Sequence, residues 1–443
     1  MPFRFDTIVI GAGAAGLNAG CELQAAGQKV CIVEARSRVG GRIATVVSDG
    51  CAMELGAEFV HGRDPVLWAL IKEARLATQE VKGSTLCATD KGVQKCGGAH
   101  DAAFELLEKM DPKLSPDMSF QQYLDTTNAS ADEREAATRF VEGFNAADAS
   151  RISARSLAVQ QRAEDEVSGD RSWRVSGGYG QMASHLERKF LSAGGHLQLD
   201  TVVDEIEWRR GGCVVRTREA TQQTALESSR VVITVPLSVL QRRTIKFSPA
   251  PTTLAAADRM AMGTAHRIAL RFKTAFWKDC TGKHAQLAKD LERLSFLFVE
   301  QSGGGPFKVW WTPHPDPCPV LTGWCGGRVA EAMSERLQAA KGVDVLRREA
   351  VEQLARIFER DAAWLEFQLV DWQFHNWAQD EFACGAYSYV LAGELDAPFA
   401  MATPVEDTLF FAGEHTDLRG HWGTVHAALG SGHRAARQIL SAP

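Results

Sequence analysis

The sequence contains no CxxC pair, no internal repeat, no low-complexity tract, no long run of one charge and no apolar stretch long enough to span a bilayer. The ten scattered cysteines in a chain of 443 residues do not describe a disulfide scaffold, so reduced thiols in a cytosolic protein are expected. The opening "MPFRFDTIVIGAG" enters a strand almost at once, with neither the longer apolar core nor the small-residue cleavage site of a secretory signal. A cytoplasmic location without a membrane span is the expectation. A formal net charge of −6 argues against nucleic acid as a partner; a cationic small substrate suits it, although the sign alone decides nothing.

What is present is ordinary globular material. Hydrophobic residues make up 45% and charged residues 23%, enough for a sizeable core, and at ~100–200 residues per domain the length fits two or three domains. "TIVI" and "KVCIVEA" are short β-branched runs, and between them Leu17, Cys21 and Ala25 recur at helical spacing until Gly27 stops the pattern. Residues 6–35 therefore read as a βαβ unit. Residues 100–165 read as helical; there Ser130 and Glu133 form a candidate capping box, and Phe140, Val141 and Phe144 line one face. Strand-like runs fill 198–236 and 264–325, helices 329–359, and the end reads strand, loop, helix. Nucleotide-type signals thus stand at both ends, which predicts a cofactor domain interrupted by a second domain.

Gly11, Gly13 and Gly16, with Ala14 and Ala15 between them, follow a strand and open a helix. Glycines there permit a tight turn and close backbone approach, and the helix N-terminus favours a pyrophosphate. Glu34 ends the next strand at about the 20-residue distance expected of an acid that holds ribose hydroxyls. NAD and FAD remain open at this point. The following "ARSRVGGRIAT" adds a second glycine pair and Arg42, backbone donors and a cation that a longer cofactor would use; a surface hairpin would account for them equally.

These stretches, together with "ELGAEFVHG" (54–62), resemble the flavin monoamine oxidase superfamily, closest in motifs to its polyamine and spermine oxidases and flavin histone demethylases. "VVITVPLSVL", "MGTAHRIALRFKTAFW", "GAYSYV", "LFFAGEHT" and "GTVHAALGSGHRAA" continue the resemblance in the family's order. It implies an α/β fold: a discontinuous Rossmann-type FAD-binding domain (1–80, 176–248 and 395–443) with a second, mixed α+β substrate domain (81–175, helical, and 249–394, sheet plus helices). The implied activity is FAD-dependent oxidation of a C–N bond in a primary or secondary amine, polyamine-like or aromatic, by hydride transfer to flavin N5, the imine then being hydrolysed. Oxygen or another acceptor would reoxidise the flavin.

The resemblance also assigns roles. Gly11, Gly13, Ala14, Ala15 and Gly16 would cradle the pyrophosphate; Glu34, with Ala35, the adenosine ribose; Arg36, Gly41 and Arg42 the diphosphate. Gly56, Ala57, Glu58 and Phe59 would run beside the ribityl chain and ring. Val203 would meet adenine, Gly413 and Glu414 the ribityl or phosphate oxygens, and Thr424 and Val425 the pyrimidine end, where a helix dipole favours negative charge. Tyr387 matches one tyrosine of the family's amine cage, and Thr424 falls at the other. Glu58 and His61 would stand near the tunnel mouth and steer the amine; Trp377, Trp422 and Trp372 are channel candidates, with core packing as the alternative. Arg267 stands where the family usually has a lysine bridged by water to N5. Arginine keeps the charge but hardly ever releases a proton, which puts fast oxygen use in doubt. Ala386 stands at the covalent-flavin cysteine of monoamine oxidases, so noncovalent FAD is implied, with Cys384 structural. His415, His421, His426 and His433 lack metal-site spacing, and no metal is expected. Competing readings are an L-amino-acid oxidase with an arginine from 151–174 on the substrate carboxylate, a flavin desaturase or porphyrinogen-type oxidase, and, last, a non-catalytic flavin-bound scaffold. The oligomeric state is not readable.

Overall fold

A computed structural model describes residues 4–97, 105–220, 222–279, 282–300, 304–340 and 342–442. The β-branched run at the start forms strand Arg4–Ile10, flanked in parallel by Val30–Val33 and Gln222–Ile233. His196–Gln198 extends this parallel core on one side, and Leu409–Phe411 joins it against Gln222–Ile233. Gly212–Glu219 and Val202–Arg209 continue the sheet in antiparallel fashion and Lys246–Ser248 pairs in parallel with the latter, to give eight strands among the described residues. Val30–Val33 is buried at every residue, as a parallel strand covered on both faces should be.

Helix Ala14–Ala25 covers one face and packs against the last long helix, Val425–Ser441. A Cβ on Gly432 would lie 2.2 Å from the Ala15 carbonyl oxygen, so the two helices approach at backbone distance. Chain segments more than 400 residues apart are joined further where Asn18 Nδ2 donates to the Leu429 carbonyl at 2.9 Å.

A second sheet has seven strands, in the order Leu369–Phe374, Ala265–Phe272, Val320–Gly326, Val309–Trp311, Leu294–Val299, Ser84–Thr89 and Gly92–Gln94. Helices Gly327–Ala340 and Asp344–Ile357 back it over a core that includes Phe272, Phe276, Trp310 and Leu354. A third group, helices Phe120–Asp125, Ala131–Asn145 and Ala154–Glu166, has its own core. The capping box at Ser130 and Glu133 forms, with Glu133 Oε2 accepting from the Ser130 amide at 2.7 Å. Of the face predicted there, Val141 is buried; Phe140 and Phe144 instead stack on each other and face a cavity. A three-stranded sheet pairs Phe59–His61 and Thr78–Glu80 with Ser172–Val175 and ties the "ELGAEFVHG" stretch to residues a hundred positions away.

The cysteine expectation is corrected. Cys51 is bonded to Cys318 and Cys87 to Cys96, with Cα–Cα separations of 5.6 and 4.9 Å. The first pair is 267 residues apart in sequence and meets where strand Cys51–Glu54 packs beside the start of Val320–Gly326, a proximity that only the tertiary fold creates. With it goes the argument from reduced thiols to a cytosolic compartment. Among the described residues, no helix is long and apolar enough to cross a membrane.

Candidate active site

One cavity of about 1260 Å³ runs from the first βα turn, between the two large sheets, to the helical group. At its nucleotide end the backbone does most of the work. Gly11 turns the chain at φ +101°, and Gly16 admits no side chain, because its Cβ would lie 1.9 Å from the Gly11 carbonyl oxygen. Gly13, by contrast, faces open space, with nothing within 4 Å of where a Cβ would stand. Gly13 is also the N-cap of helix Ala14–Ala25 and supplies no capping side chain, which leaves the first amides of the helix for a ligand. Glu34 is fixed by two amides, Ala12 N at 2.7 Å and Arg36 N at 2.9 Å. Burial acts to raise its carboxyl above the ordinary range. Thr201, Val202 and Val203 complete this wall.

In the middle of the cavity stands Glu414, which accepts from Arg42 Nη1 at 2.9 Å, Ser388 Oγ at 2.6 Å and Gly423 N at 3.0 Å. Burial opposes its ionisation, but Arg42, His415 and the Ser388 hydroxyl together hold the carboxyl below its usual range. Thr424 caps helix Val425–Ser441 by accepting from Ala427 N at 3.1 Å, so the positive end of that helix opens on the cavity beside Val425. Gly56 packs its backbone against Arg42, whose carbonyl oxygen would be 1.8 Å from a Cβ there.

The far end is built from side chains. Phe59, Phe140, Phe144, Phe296, Trp311 and Trp324 form aromatic walls; half-buried Glu164 and Glu300 and exposed Glu108, Asp132, Glu135 and Asp165 supply carboxylates, beside the cations Arg139 and Lys308. Glu164 ends a half-buried polar chain in which Asn145 Nδ2 donates to Gln160 Oε1 at 2.9 Å and Gln160 Nε2 to Glu164 Oε1 at 3.2 Å. Burial lifts its carboxyl to about 7. His61 lies between Phe59 and Phe144 with Nδ1 3.4 Å from Ser172 Oγ, and burial lowers its pKa to about 4, so the ring is neutral at neutral pH. The Tyr387 hydroxyl donates to the Phe144 carbonyl. Burial pushes its phenol far above the ordinary value. Trp377 Nε1 donates to the Leu55 carbonyl at 2.6 Å and Trp422 Nε1 to the Asp417 carbonyl at 2.9 Å; both rings border the cavity.

The cavity therefore brings together the residues that the sequence singled out, with identifiable exceptions. Gly16 shapes the turn from behind. Arg36 borders the cavity, but its guanidinium is tied to Asp380, with Nη1 2.8 Å from Oδ2. Glu58, expected to steer an amine, is instead held by Arg174, Arg267 and Trp311. Trp372, a channel candidate, lies on edge strand Leu369–Phe374 and packs against the second core, away from the cavity. Cys384 also lies outside the lining and donates its thiol to the Glu381 carbonyl at 3.3 Å; Ala386 lines the cavity with no thiol to offer. His421 and His426 meet edge to face at 4.6 Å, His433 is bound to Glu22 and His415 is buried. Among the described residues, no group of three acidic, cysteine or histidine side chains is placed to hold a metal. Trp311, Trp324 and the Asn145–Gln160–Glu164 chain were not legible as site residues, and Arg174, one of the arginines of 151–174 offered for a substrate carboxylate, stands behind the lining on Glu58. The tryptophans lay in "KVWWTP" and "LTGWCG", which read only as strands.

This geometry has relatives. The model of the flavin-containing amine oxidoreductases matches residues 14–440. The chain belongs to that family. It is a flavin-containing oxidoreductase acting on amines, and its cofactor is FAD. Polyamine oxidase 4 of Oryza sativa subsp. japonica is 28% identical over 97% of this chain and 88% of its own length. The lysine-specific histone demethylase 1 homolog 2 of Arabidopsis thaliana is 26% identical over 98% of this chain, which spans 58% of that protein. Among solved structures, a putrescine oxidase superposes with a TM-score of 0.79 at 22% identity, over 99% of this chain and 100% of that one. Cyclohexylamine oxidase from Brevibacterium oxydans IH-35A does so with 0.78 at 21%, over 98% of each. The mixed α/β fold of this chain is thus that of known amine oxidase structures. The residues fit the cofactor: Gly13 leaves a cradle that a Cβ would fill, beside uncapped helix amides and a fixed carboxylate at Glu34.

Proposed function

We propose that the protein oxidises an amine that carries a second positive charge, such as a di- or polyamine, at a C–N bond near the ring end of the cavity. The observation that carries this reading is the set of carboxylates at the end of the cavity opposite the glycine turn, reached past neutral His61 and the aromatic walls. Half-buried Glu164 and Glu300 attract a cation more than they would in bulk water, and the exposed carboxylates at the mouth add a weaker, salt-screened pull. FAD held there would supply a two-electron acceptor for the hydride lost from the amine's Cα–H, and the imine so formed would hydrolyse in water to a carbonyl compound and an amine.

The chain's own residues orient and select. Gly11 to Ala15, Glu34, Ala35 and Val203 hold the nucleotide, and Gly41, Arg42, Gly413 and Glu414 the diphosphate and ribityl chain. Gly56, Ala57 and Phe59 line the ring, and Thr424 and Val425 present a helix N-terminus to it. Tyr387, fixed through Phe144, and Trp422 confine the amine, while His61 accepts its N–H hydrogen bond. Arg267 places a charged donor at the wall and holds a water there. In this reading residues 1–80, 176–248 and 395–443 form the Rossmann-type cofactor domain, and 81–175 with 249–394 form the substrate domain. The reoxidising acceptor is oxygen or another electron acceptor.

The aromatic walls favour an aromatic monoamine as a second reading. An L-amino-acid substrate is disfavoured, since none of the described arginines of 151–174 lines the cavity; Arg174 is committed to Glu58, Arg171 to Glu80 and Arg155 to the Pro112 carbonyl. Anaerobic bleaching of the visible flavin band is the test, across di- and polyamines, aromatic monoamines and amino acids. Fastest bleaching by polyamines is expected; bleaching by amino acids alone would overturn the reading. Arg267→Met should slow reoxidation more than reduction, and equal slowing of both would remove the proposed role of Arg267.

A further inference from the structure

Three segments remote in sequence deliver charge to one point on the cavity wall. Glu58 precedes strand Phe59–His61, Arg174 lies on Ser172–Val175, and Arg267 on Ala265–Phe272. Glu58 Oε1 accepts from Arg174 Nε and Oε2 from Arg267 Nη2, while Trp311 Nε1 reaches both oxygens, at 3.2 and 3.0 Å. A carboxylate offers about four lone-pair sites, and three N–H donors, one of them shared between both oxygens, already crowd them. The carboxylate is committed to its own cations before a substrate ammonium arrives. Both arginines are almost fully buried, Arg174 at 9% and Arg267 at 6% exposure. Arg267 is further pinned by the Gly56 carbonyl at 2.6 Å and by the face of Trp311 at 5.2 Å. Two buried guanidinium charges beside a channel that admits cations would repel its substrate unless compensated.

We propose that Glu58 is a positioning residue whose carboxylate serves Arg267 and Arg174 rather than the amine, and that this compensation of charge lets the cavity admit a cation. The proposal deepens the reading above and rests on it. Burial works against ionisation of Glu58, but Arg267 and Arg174, with Trp311, hold its carboxyl below the ordinary range; nearby Glu54, which burial lifts to about 7, also feels Arg267. One carboxylate against two guanidiniums leaves the cluster at +1. Glu58→Gln takes it to +2, Arg267→Met to zero, and the double variant Glu58→Gln/Arg267→Met back to +1.

The test uses the FAD-loaded enzyme with putrescine as the cation and chloride as the anion. The apparent Kd for putrescine comes from the anaerobic half-reaction, chloride binding from the flavin spectrum, with melting temperature and FAD content alongside. Glu58→Gln should weaken putrescine about tenfold or more, the equivalent of one buried charge contact, and should make chloride a measurable ligand. The double variant should recover most of the putrescine affinity despite lacking both side chains, and Arg267→Met alone should bind putrescine at least as tightly as wild type. A purely structural Glu58 would lower melting temperature and FAD content in the single and double variants alike, with no recovery of affinity, and would overturn the proposal. So would unchanged putrescine and chloride binding in folded Glu58→Gln. If Glu58→Gln does not fold, Arg267→Met decides: weaker putrescine binding overturns the proposal. If wild-type flavin is bleached by no amine, the substrate reading fails, while the chloride arm still tests the charge role.

Discussion

The two ends of the cavity are made of different things. At the nucleotide end the chain presents backbone: Gly11, Gly13 and the first turn of helix Ala14–Ala25 are contiguous in sequence, and their geometry follows from the absence of side chains. At the amine end, Glu58, Arg174, Arg267 and Trp311 come from four separate segments, and their geometry follows from pairing between side chains. The first end tolerates no added atom at its hinge; the second tolerates loss of a group as long as charge and hydrogen bonds still balance. One end is suited to a fixed cofactor, the other to variation in what it admits.

The largest expected effect tests the backbone end. Gly16→Val forces side-chain atoms into the Gly11 carbonyl and should cost about 3 kcal/mol, seen as a large drop in melting temperature with loss of FAD. Gly13→Ala meets open space, so melting of the apoprotein should be unchanged while FAD affinity falls; equal loss of apoprotein stability in both variants would break the comparison. Next comes the covalent tie between the flavin wall and the second sheet. Cys51→Ser/Cys318→Ser opens a loop of 267 residues and should cost roughly 2–4 kcal/mol, more than Cys87→Ser/Cys96→Ser, whose partners are 9 apart. At the amine end the effects shrink. Tyr387→Phe loses one hydrogen bond to the Phe144 carbonyl, worth about 1 kcal/mol, and should raise KM severalfold with FAD content intact.

Two pH effects sharpen the contrast. Glu164 is neutral below about 7 and ionised above it, so binding of a cationic amine should strengthen as pH rises through 7, and Glu164→Gln should flatten that profile. Stability should move with the buried histidines. Burial lowers His61, His266 and His415 from 6.5 to about 4, so between those values the unfolded chain binds protons that the folded chain does not. The histidines' contribution to stability should therefore fall as pH drops from 6.5 towards 4, opposed by Glu54 and Glu164, whose carboxyls burial lifts to about 7, and His61→Gln should lessen the fall seen by chemical denaturation.

The glycine turn, Glu34 and the end helix were legible because local rules govern them. A tight turn needs glycine, a helix N-terminus attracts anions, and alternation or helical spacing marks each element within a few residues. "ELGAEFVHG" was legible as a wall of the site, yet the task of Glu58 within it was not, because a carboxylate's role depends on which cations arrive beside it. Arg174 arrives by strand pairing of Phe59–His61 with Ser172–Val175, and Trp311 by way of the second sheet. Cys51 and Cys318 show the same thing, since nothing at either position marks the other as its partner.

By itself the sequence determined the mixed α/β fold class, the family and, through it, the cofactor, and the glycine turn and helix ends that border the cavity, because short-range geometry and the lack of side chains are written residue by residue. Only the tertiary structure decided which charges neutralise one another, which thiols pair and where the carboxylates of the amine end gather. Coulombic and covalent partnerships depend on distance in space, and here that distance is set by chain segments that lie tens to hundreds of residues apart.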